Sequence, residues 1–337
     1  MKAGMTDSRG AFGRVARRPE TGSFLGLIIT YAFFALFGGQ VFITAPGWSS
    51  WLNAAAEVGI VALPVGLLMI AGLLDISVGA VLPASSLTVA IISGHYDLPL
   101  PLGIAGGLAI GLAVGWINGL LVTRTTIPSL IITIGTMFGV MGLTLGLTIL
   151  IAGSTGVFIV PDVVTKSIFG SAINNMFQVV IFWWAGFVAA VFFLLHLSPW
   201  GNWVFALGGD RDSARNAGIP TDRVTIQLYM LSGFAAAFVG VTQVITFGSA
   251  QVAAGSSFIF NSIMCVVIGG VLLTGGAGSV VGIVLGTITF AIVNQGIFFT
   301  RLDPNIGSII IGALLLIAVL TNDGFRKLAL SASTKKA

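Results

Sequence analysis

Apolar runs about twenty residues long, the length a helix needs to cross a bilayer, recur from Phe24 to Leu320 with only short polar joints between them. Inside hydrocarbon every backbone N–H and C=O must be paired within the protein. Such runs therefore predict an all-α polytopic membrane protein. The sparse charge agrees: 8% of the 337 residues are Asp, Glu, Lys or Arg, against about a quarter in soluble domains. That excludes a soluble enzyme, a disordered chain and a nucleic-acid-binding domain. Cys265 is the only cysteine, which excludes a disulfide scaffold and a cysteine zinc site. The 46 glycines suit close helix packing in lipid.

Ten spans are predicted, at 24–44, 54–74, 78–94, 100–122, 127–151, 176–197, 225–247, 259–274, 279–299 and 305–321. Cytoplasmic loops collect Lys and Arg. With both termini cytoplasmic, the inner segments hold Lys2, Arg9, Arg14, Arg17, Arg18, Arg124, Arg211, Arg215, Arg223, Arg326, Lys327, Lys335 and Lys336. Only Lys166 and Arg301 fall outside. This divides the chain into a basic cytoplasmic tail (1–23), a transmembrane domain (24–321) with a cytoplasmic loop at 198–224, and a cytoplasmic C-terminal tail (322–337). Phe24 to Thr44 is longer than a signal-peptide core and leads into further spans, so it is read as a span. Trp48 and Trp51 are expected just outside the first span, and Trp200 and Trp203 just after the sixth, as interfacial aromatics.

Two joints break the pattern, Gly72-Leu-Leu-Asp-Ile-Ser-Val-Gly79 and Leu273-Thr-Gly-Gly-Ala-Gly-Ser-Val-Val-Gly282. Each is either an inner-face turn or a broken helix whose free backbone groups line a cavity. Asp75, in the first, is expected to cap Val78 or Gly79, a role ranked ahead of proton relay. Glu57 is expected near the outer end of its span, reaching water. The sequence holds no Gly-Lys-Ser or Gly-Lys-Thr, so ATP hydrolysis through a P-loop is excluded. His95 and His196 are expected on opposite faces of the membrane, too far apart to share a metal or a proton. A metal-dependent or hydrolytic membrane enzyme is thus not supported, and no metal site is expected.

The loop after the sixth span contains a self-terminating helix. Gly208-Gly209 turns the chain, Asp210 is a good N-cap, Arg211 to Ala217 make about two turns, and Gly218 followed by Pro220 stops them. Ala214, Ala217 and Ile219 give it a small apolar side. Such a helix either docks into a partner's groove or lies on the headgroups.

This loop resembles the cytoplasmic segment of the ribose-type permeases of bacterial ABC transporters, which import simple sugars and the autoinducer-2 furanone. The matching residues are Gly201, Phe205-Ala-Leu-Gly-Gly209 and Ala214-Arg-Asn-Ala-Gly-Ile219. Leu74-Asp-Ile-Ser-Val-Gly79, Pro128-Ser-Leu-Ile-Ile-Thr-Ile-Gly-Thr136 and Val267-Ile-Gly-Gly-Val-Leu-Leu-Thr-Gly-Gly-Ala-Gly-Ser279 resemble further family motifs in the family's order. The likeness runs from the second span to the tenth. It departs at Ser257-Phe-Ile-Phe-Asn-Ser-Ile-Met264, where the family often has an acid and a Tyr, and at Asn294-Gln295-Gly296, where it has Asn-Gly.

The resemblance implies a non-enzymatic permease subunit in the bacterial inner membrane. Its implied partners are ABC ATPase subunits, a second permease chain (identical or homologous), a periplasmic solute-binding protein and membrane lipid. Nucleic acid is not a partner. No cofactor is expected on this chain; ATP and Mg are used by the ATPases. Implied coupling residues are Gly208, Gly209, Asp210, Arg211, Ala214, Arg215, Gly218 and Ile219, with Arg211 and Arg215 expected to pair with ATPase acids. The path for a monosaccharide, polyol or related neutral solute is expected along Asp75, Asn118, Thr133, Thr136, Gln243, Phe258, Asn261 and Asn294. Interhelical hydrogen bonding competes as the reason for each polar member, and lipid contact competes for Phe247, Phe258 and Phe260. The alternative function is a stand-alone secondary carrier for a neutral solute.

Overall fold

The computed structural model describes residues 19–300 and, beyond them, positions 303, 309, 312, 313 and 316. Its helices are α1 (Pro19–Phe37), α2 (Gly39–Phe42), α3 (Ala45–Ile70), α4 (Val78–Ala90, extended by a π-turn at Ile91–His95), α5 (Leu100–Arg124) and α6 (Ser129–Ala152). After them come α7 (Val163–Phe169), α8 (Val180–His196), α9 (Pro199–Gly209), α10 (Arg211–Asn216), α11 (Thr221–Phe247), α12 (Ser256–Ile268) and α13 (Val280–Gly296). Two small antiparallel pairs cap one end. β1 (Gly156–Phe158) pairs with β4 (Ser249–Gln251), and β2 (Ala172–Ile173) with β3 (Phe177–Gln178).

Among the described residues seven helices are long and apolar enough to cross a membrane, or eight if the bent pair α8–α9 counts as one. The expected eighth span, 259–274, differs. Its helix α12 has 13 residues, about 20 Å at 1.5 Å per residue, and stops at Gly269–Gly270, where Gly270 turns with φ +85°. The tenth expected span lies mostly outside the described residues, although positions 309, 312, 313 and 316 are helical. Both expected tails, 1–18 of the first and 322–337, also lie outside them. Helix α3 begins at Ala45, nine residues before the predicted edge, because extended Thr44 and Pro46 in the first turn start it early. Trp48 and Trp51 therefore sit inside its first turns, not in a loop.

Helix α3 is the axis of the bundle. Of its most apolar 18-residue window 83% is buried, against 11% for α6. Helices α8, α11, α12 and α13 pack around it. A second seam runs along α5, where Gly103, Gly107, Gly111, Gly115 and Gly119 recur every fourth residue. A Cβ on Gly107 would lie 2.8 Å from Ser85 Oγ of α4, and one on Gly115 would lie 2.8 Å from Met230 Cα of α11. Absent side chains on one stripe let three helices approach at backbone distance.

The connections sort to two ends. Ile70, Gly208 and Gly276 touch one another at the end that carries Arg124, Arg211 and Arg215 (the basic end). The strand pairs lie at the other end, where Asn53 Nδ2 donates to Met176 O and Asn53 Oδ1 accepts from Gln178 N (2.8 and 3.0 Å).

Candidate functional site

At the basic end the chain leaves α8 and turns by 72° into α9. The elbow needs Gly201, because a Cβ there would sit 2.8 Å from Leu195 Cα. Trp200 Nε1 donates to Gln227 Oε1 at 2.9 Å and ties α9 to α11. Helix α10 then starts on Asp210, whose Oδ1 accepts from Ser213 N at 2.7 Å. The hydrogen bonds from Ser213 hold the Asp210 carboxyl below its ordinary pKa. The helix ends where Ile219 N reaches Ala214 O and Gly218 N reaches Arg215 O, with Gly218 at φ +86°. Capping and termination are as the sequence predicts, but Gly208 and Gly209 are the last two residues of α9 rather than a turn, and the chain changes direction at extended Asp210.

The side chains of α10 face differently from the expectation. Arg211 Nη2 and Arg215 Nη2 donate to the two carboxylate oxygens of one acid, Asp222, at 3.2 and 2.7 Å. Asp222 stands in the first turn of α11, just beyond the Pro220 turn, so both arginines are engaged within the chain. Exposed ion pairs contribute about 0.2–1 kcal/mol each, so the fork sets the orientation of α10 more than its stability. Ala214 is buried rather than outward. Gly208 is turned inward onto Ile70, whereas a Cβ added to exposed Gly209 would meet nothing within 4 Å.

Above this loop the break between α3 and α4 carries a polar cluster. Asp75 is 1% exposed. Its Oδ1 accepts from Ser77 N (2.9 Å) and Ser77 Oγ (2.6 Å), and its Oδ2 from Ser232 Oγ of α11 (2.7 Å). Asn118 Nδ2 of α5 donates to Ser77 Oγ at 2.8 Å, and Tyr229 Oη donates to Leu74 O at 2.9 Å. Asp75 thus caps Ser77 through an Asx turn, not Val78 or Gly79; Ser77 is already helical in backbone and Gly79 N is taken by Ile76 O. Asn118 stands six residues from the end of α5 and Ser232 eleven from the start of α11, about 9 and 16 Å along each helix. The break is therefore set inside the bundle.

The break after α12 has the same backbone design. Gly72 N bonds Met69 O and Leu73 N bonds Leu68 O; Gly270 N bonds Val267 O and Val271 N bonds Val266 O. Gly72 and Gly270 both have positive φ, and a serine (Ser77 or Ser279) stands at the N-cap of the next helix. Sequence comparison within the chain does not bring out this repeat, because the glycine and the serine are five residues apart in one break and nine in the other.

Toward the opposite end, α3 turns polar groups to its neighbours. Gln243 Nε2 of α11 donates to Glu57 Oε2 at 2.7 Å, and Ser50 Oγ donates to Gln295 Oε1 of α13 at 3.2 Å. Gln295 in turn donates to Asn294 Oδ1 at 3.0 Å. Gln243 also lines a cleft of about 210 Å³ with Ser86, Phe247, Ser249 and Gln251. Glu57 is partly buried against α11, paired with Gln243 rather than reaching open water.

The expected path residues therefore divide. Asp75 and Asn118 meet through Ser77, and Gln243 and Asn294 lie on the polar chains around α3. Asn261 is partly exposed on α12. Thr133 and Thr136 return their hydroxyl groups to carbonyls of their own helix, and Phe258 is packed in the core. His95 closes the π-turn of α4 at one end, while His196 Nε2 accepts from Val280 N at 3.2 Å at the basic end.

Residues 47–319 match a family profile described as branched-chain amino acid transport system / permease component. The fructose import permease protein FrcC of Rhizobium meliloti is 30% identical over 309 residues, 90% of this chain and 85% of that protein. The ribose import permease protein RbsC of Bacillus subtilis is 32% identical over 316 residues (89% and 92%). The autoinducer 2 import system permease protein LsrD of Salmonella typhimurium is 32% identical over 272 residues (78% and 79%).

Proposed function

Since the chain belongs to the family of ribose-type ABC transporter permeases, we propose that it forms the translocation path of a bacterial inner-membrane importer for a monosaccharide, polyol or related neutral solute. The observation that carries this reading is the capped helix α10, oriented by the Asp222 fork and projecting Asp212, Arg215 and Asn216 from the basic end. ATPase subunits dock there and hydrolyse MgATP. A periplasmic binding protein delivers solute to the strand-capped end. A second permease chain completes the pore.

A neutral hydroxylated solute is held by hydrogen bonds that must release easily. The amide and carboxylate groups of Gln243, Glu57, Asn261 and Asn294 supply donors and acceptors of that kind. Asp75 and Asn118 serve the break between α3 and α4. Closure of the ATPases moves the basic-end loop, and the broken spans exchange access from one side to the other.

The test is uptake of radiolabelled pentoses, hexoses, polyols, nucleosides and branched-chain amino acids by a deletion strain and its complemented parent. Loss of one sugar or polyol, restored on complementation and abolished by ATP depletion, is expected. Ion-driven uptake by the lone chain in proteoliposomes would overturn the assignment.

A further inference from the structure

Three strands of backbone meet at the basic end with no side chain between them. A Cβ on Gly208 would fall on Ile70 O and lie 2.7 Å from Gly276 N. One on Gly275 would lie 2.9 Å from Gly208 O and 2.9 Å from Gly72 Cα. Gly276 N donates to Ile70 O at 2.8 Å. Gly72, Gly275 and Gly276 all have positive φ, between 75° and 84°, which glycine adopts without strain. The three strands are the end of α9, the break between α3 and α4, and the break between α12 and α13.

A contact between side chains absorbs displacement by rotamer change. A contact between backbones has no such freedom, and close-packed interiors transmit strain. The loop is also fixed at its flanks, by the Gly201 elbow to α8 and by the Asp222 fork to α11. A push on α9–α10 is therefore delivered to both broken spans at once.

We propose that Gly72, Gly208, Gly275 and Gly276 are positioning residues that form a transmission joint, which obliges the α3–α4 break and the α12–α13 break to move as one body with the cytoplasmic loop. This rests on the transporter reading above and specifies where the motion goes. Gly208 is its central member, since an added Cβ there meets both Ile70 O and Gly276 N.

The test uses the complete transporter, with its ATPase and binding protein, in proteoliposomes. Solute moved per ATP hydrolysed is compared for wild type, Gly208→Ala and Gly26→Ala. Gly208→Ala is expected to assemble and hydrolyse ATP yet move about tenfold less solute per ATP, the size of an ordinary coupling between sites. Gly26→Ala in α1, whose added Cβ meets nothing within 4 Å, is expected to match wild type. A wild-type ratio in Gly208→Ala overturns the joint. A wild-type complex with no ATP-driven uptake instead removes the transporter reading and the joint with it. A second measurement leaves the joint unmutated. Spin labels are placed on Asp212→Cys with Leu273→Cys, and on Asp212→Cys with Thr125→Cys; native Cys265 is buried and out of reach of the reagent. Between nucleotide-free and nucleotide-trapped complexes the 212–273 distance is expected to hold while the 212–125 distance changes. A change in the first, or no change in either, overturns the proposal.

Discussion

Substituting Gly115 by Ala tests the packing argument directly. The added Cβ would lie 2.8 Å from Met230 Cα and 2.8 Å from Tyr229 C, about 1 Å inside the optimal separation of carbon atoms. Both obstacles are backbone atoms of α11, so no rotamer relieves them and the two helices must part. Overpacking of this kind costs about 1–3 kcal/mol, and a rigid obstacle places it in the upper half of that range. Ala returns about 1 kcal/mol through helix propensity. Gly26→Ala in α1 is the matched control, since nothing lies within 4 Å of its added Cβ and the propensity gain is the same. The difference in unfolding free energy between the two variants is therefore expected to be about 2–3 kcal/mol. It is read by denaturant titration of the purified protein in one detergent, followed by tryptophan fluorescence. If Gly115→Ala proves as stable as Gly26→Ala, the α5–α11 seam is not held at backbone distance and the reasoning fails.

Replacing Asp222 by Asn frees both arginines. Unfolding free energy is expected to fall by less than about 1 kcal/mol per pair, while amide exchange across 211–217 accelerates clearly; unchanged exchange would show that the fork does not orient α10. Asp75→Ala strips partners from Ser77 and Ser232 in a buried site, and a destabilisation of roughly 2–5 kcal/mol is expected from the buried polar groups left unpaired, with Asp75→Asn recovering part of it in the same titration. The folded Asp210 carboxyl titrates below its unfolded value, so its contribution is present above the unfolded pKa and is lost as pH falls through the folded one. The α10 cap is therefore expected to hold at pH 7 and to loosen only below about pH 4, and Asp210→Asn abolishes that dependence in amide exchange.

The helices and their alternation were legible because hydropathy acts over twenty residues at a time. So was α10, since Asp210, Gly218 and Pro220 act through local backbone geometry. The short α12 was not legible: Val267 and Leu272 are as apolar as a span requires, and only the positive φ at Gly270 ends the helix. The Asp222 fork was partly visible, as two arginines four residues apart followed by an acid beyond a Pro turn. Its competitor, an acid on a partner, has the same sequence signature. The glycine stripe of α5 repeats every fourth residue and was open to reading. The inward turn of Gly208 was not, because two adjacent glycines differ only in which one the fold presses against Ile70.

The central position of α3 has a consequence for the order of synthesis. Glu57 is translated 186 residues before Gln243, and Ser50 precedes Gln295 by 245. At about 5–20 residues per second, Glu57 waits roughly 10–40 s for its partner. Throughout that interval the nascent axis must keep its polar face in the insertion machinery or against provisional neighbours. Chains that stall between α3 and α11 would leave the Glu57 carboxyl group without Gln243, a polar group unpaired in an apolar medium.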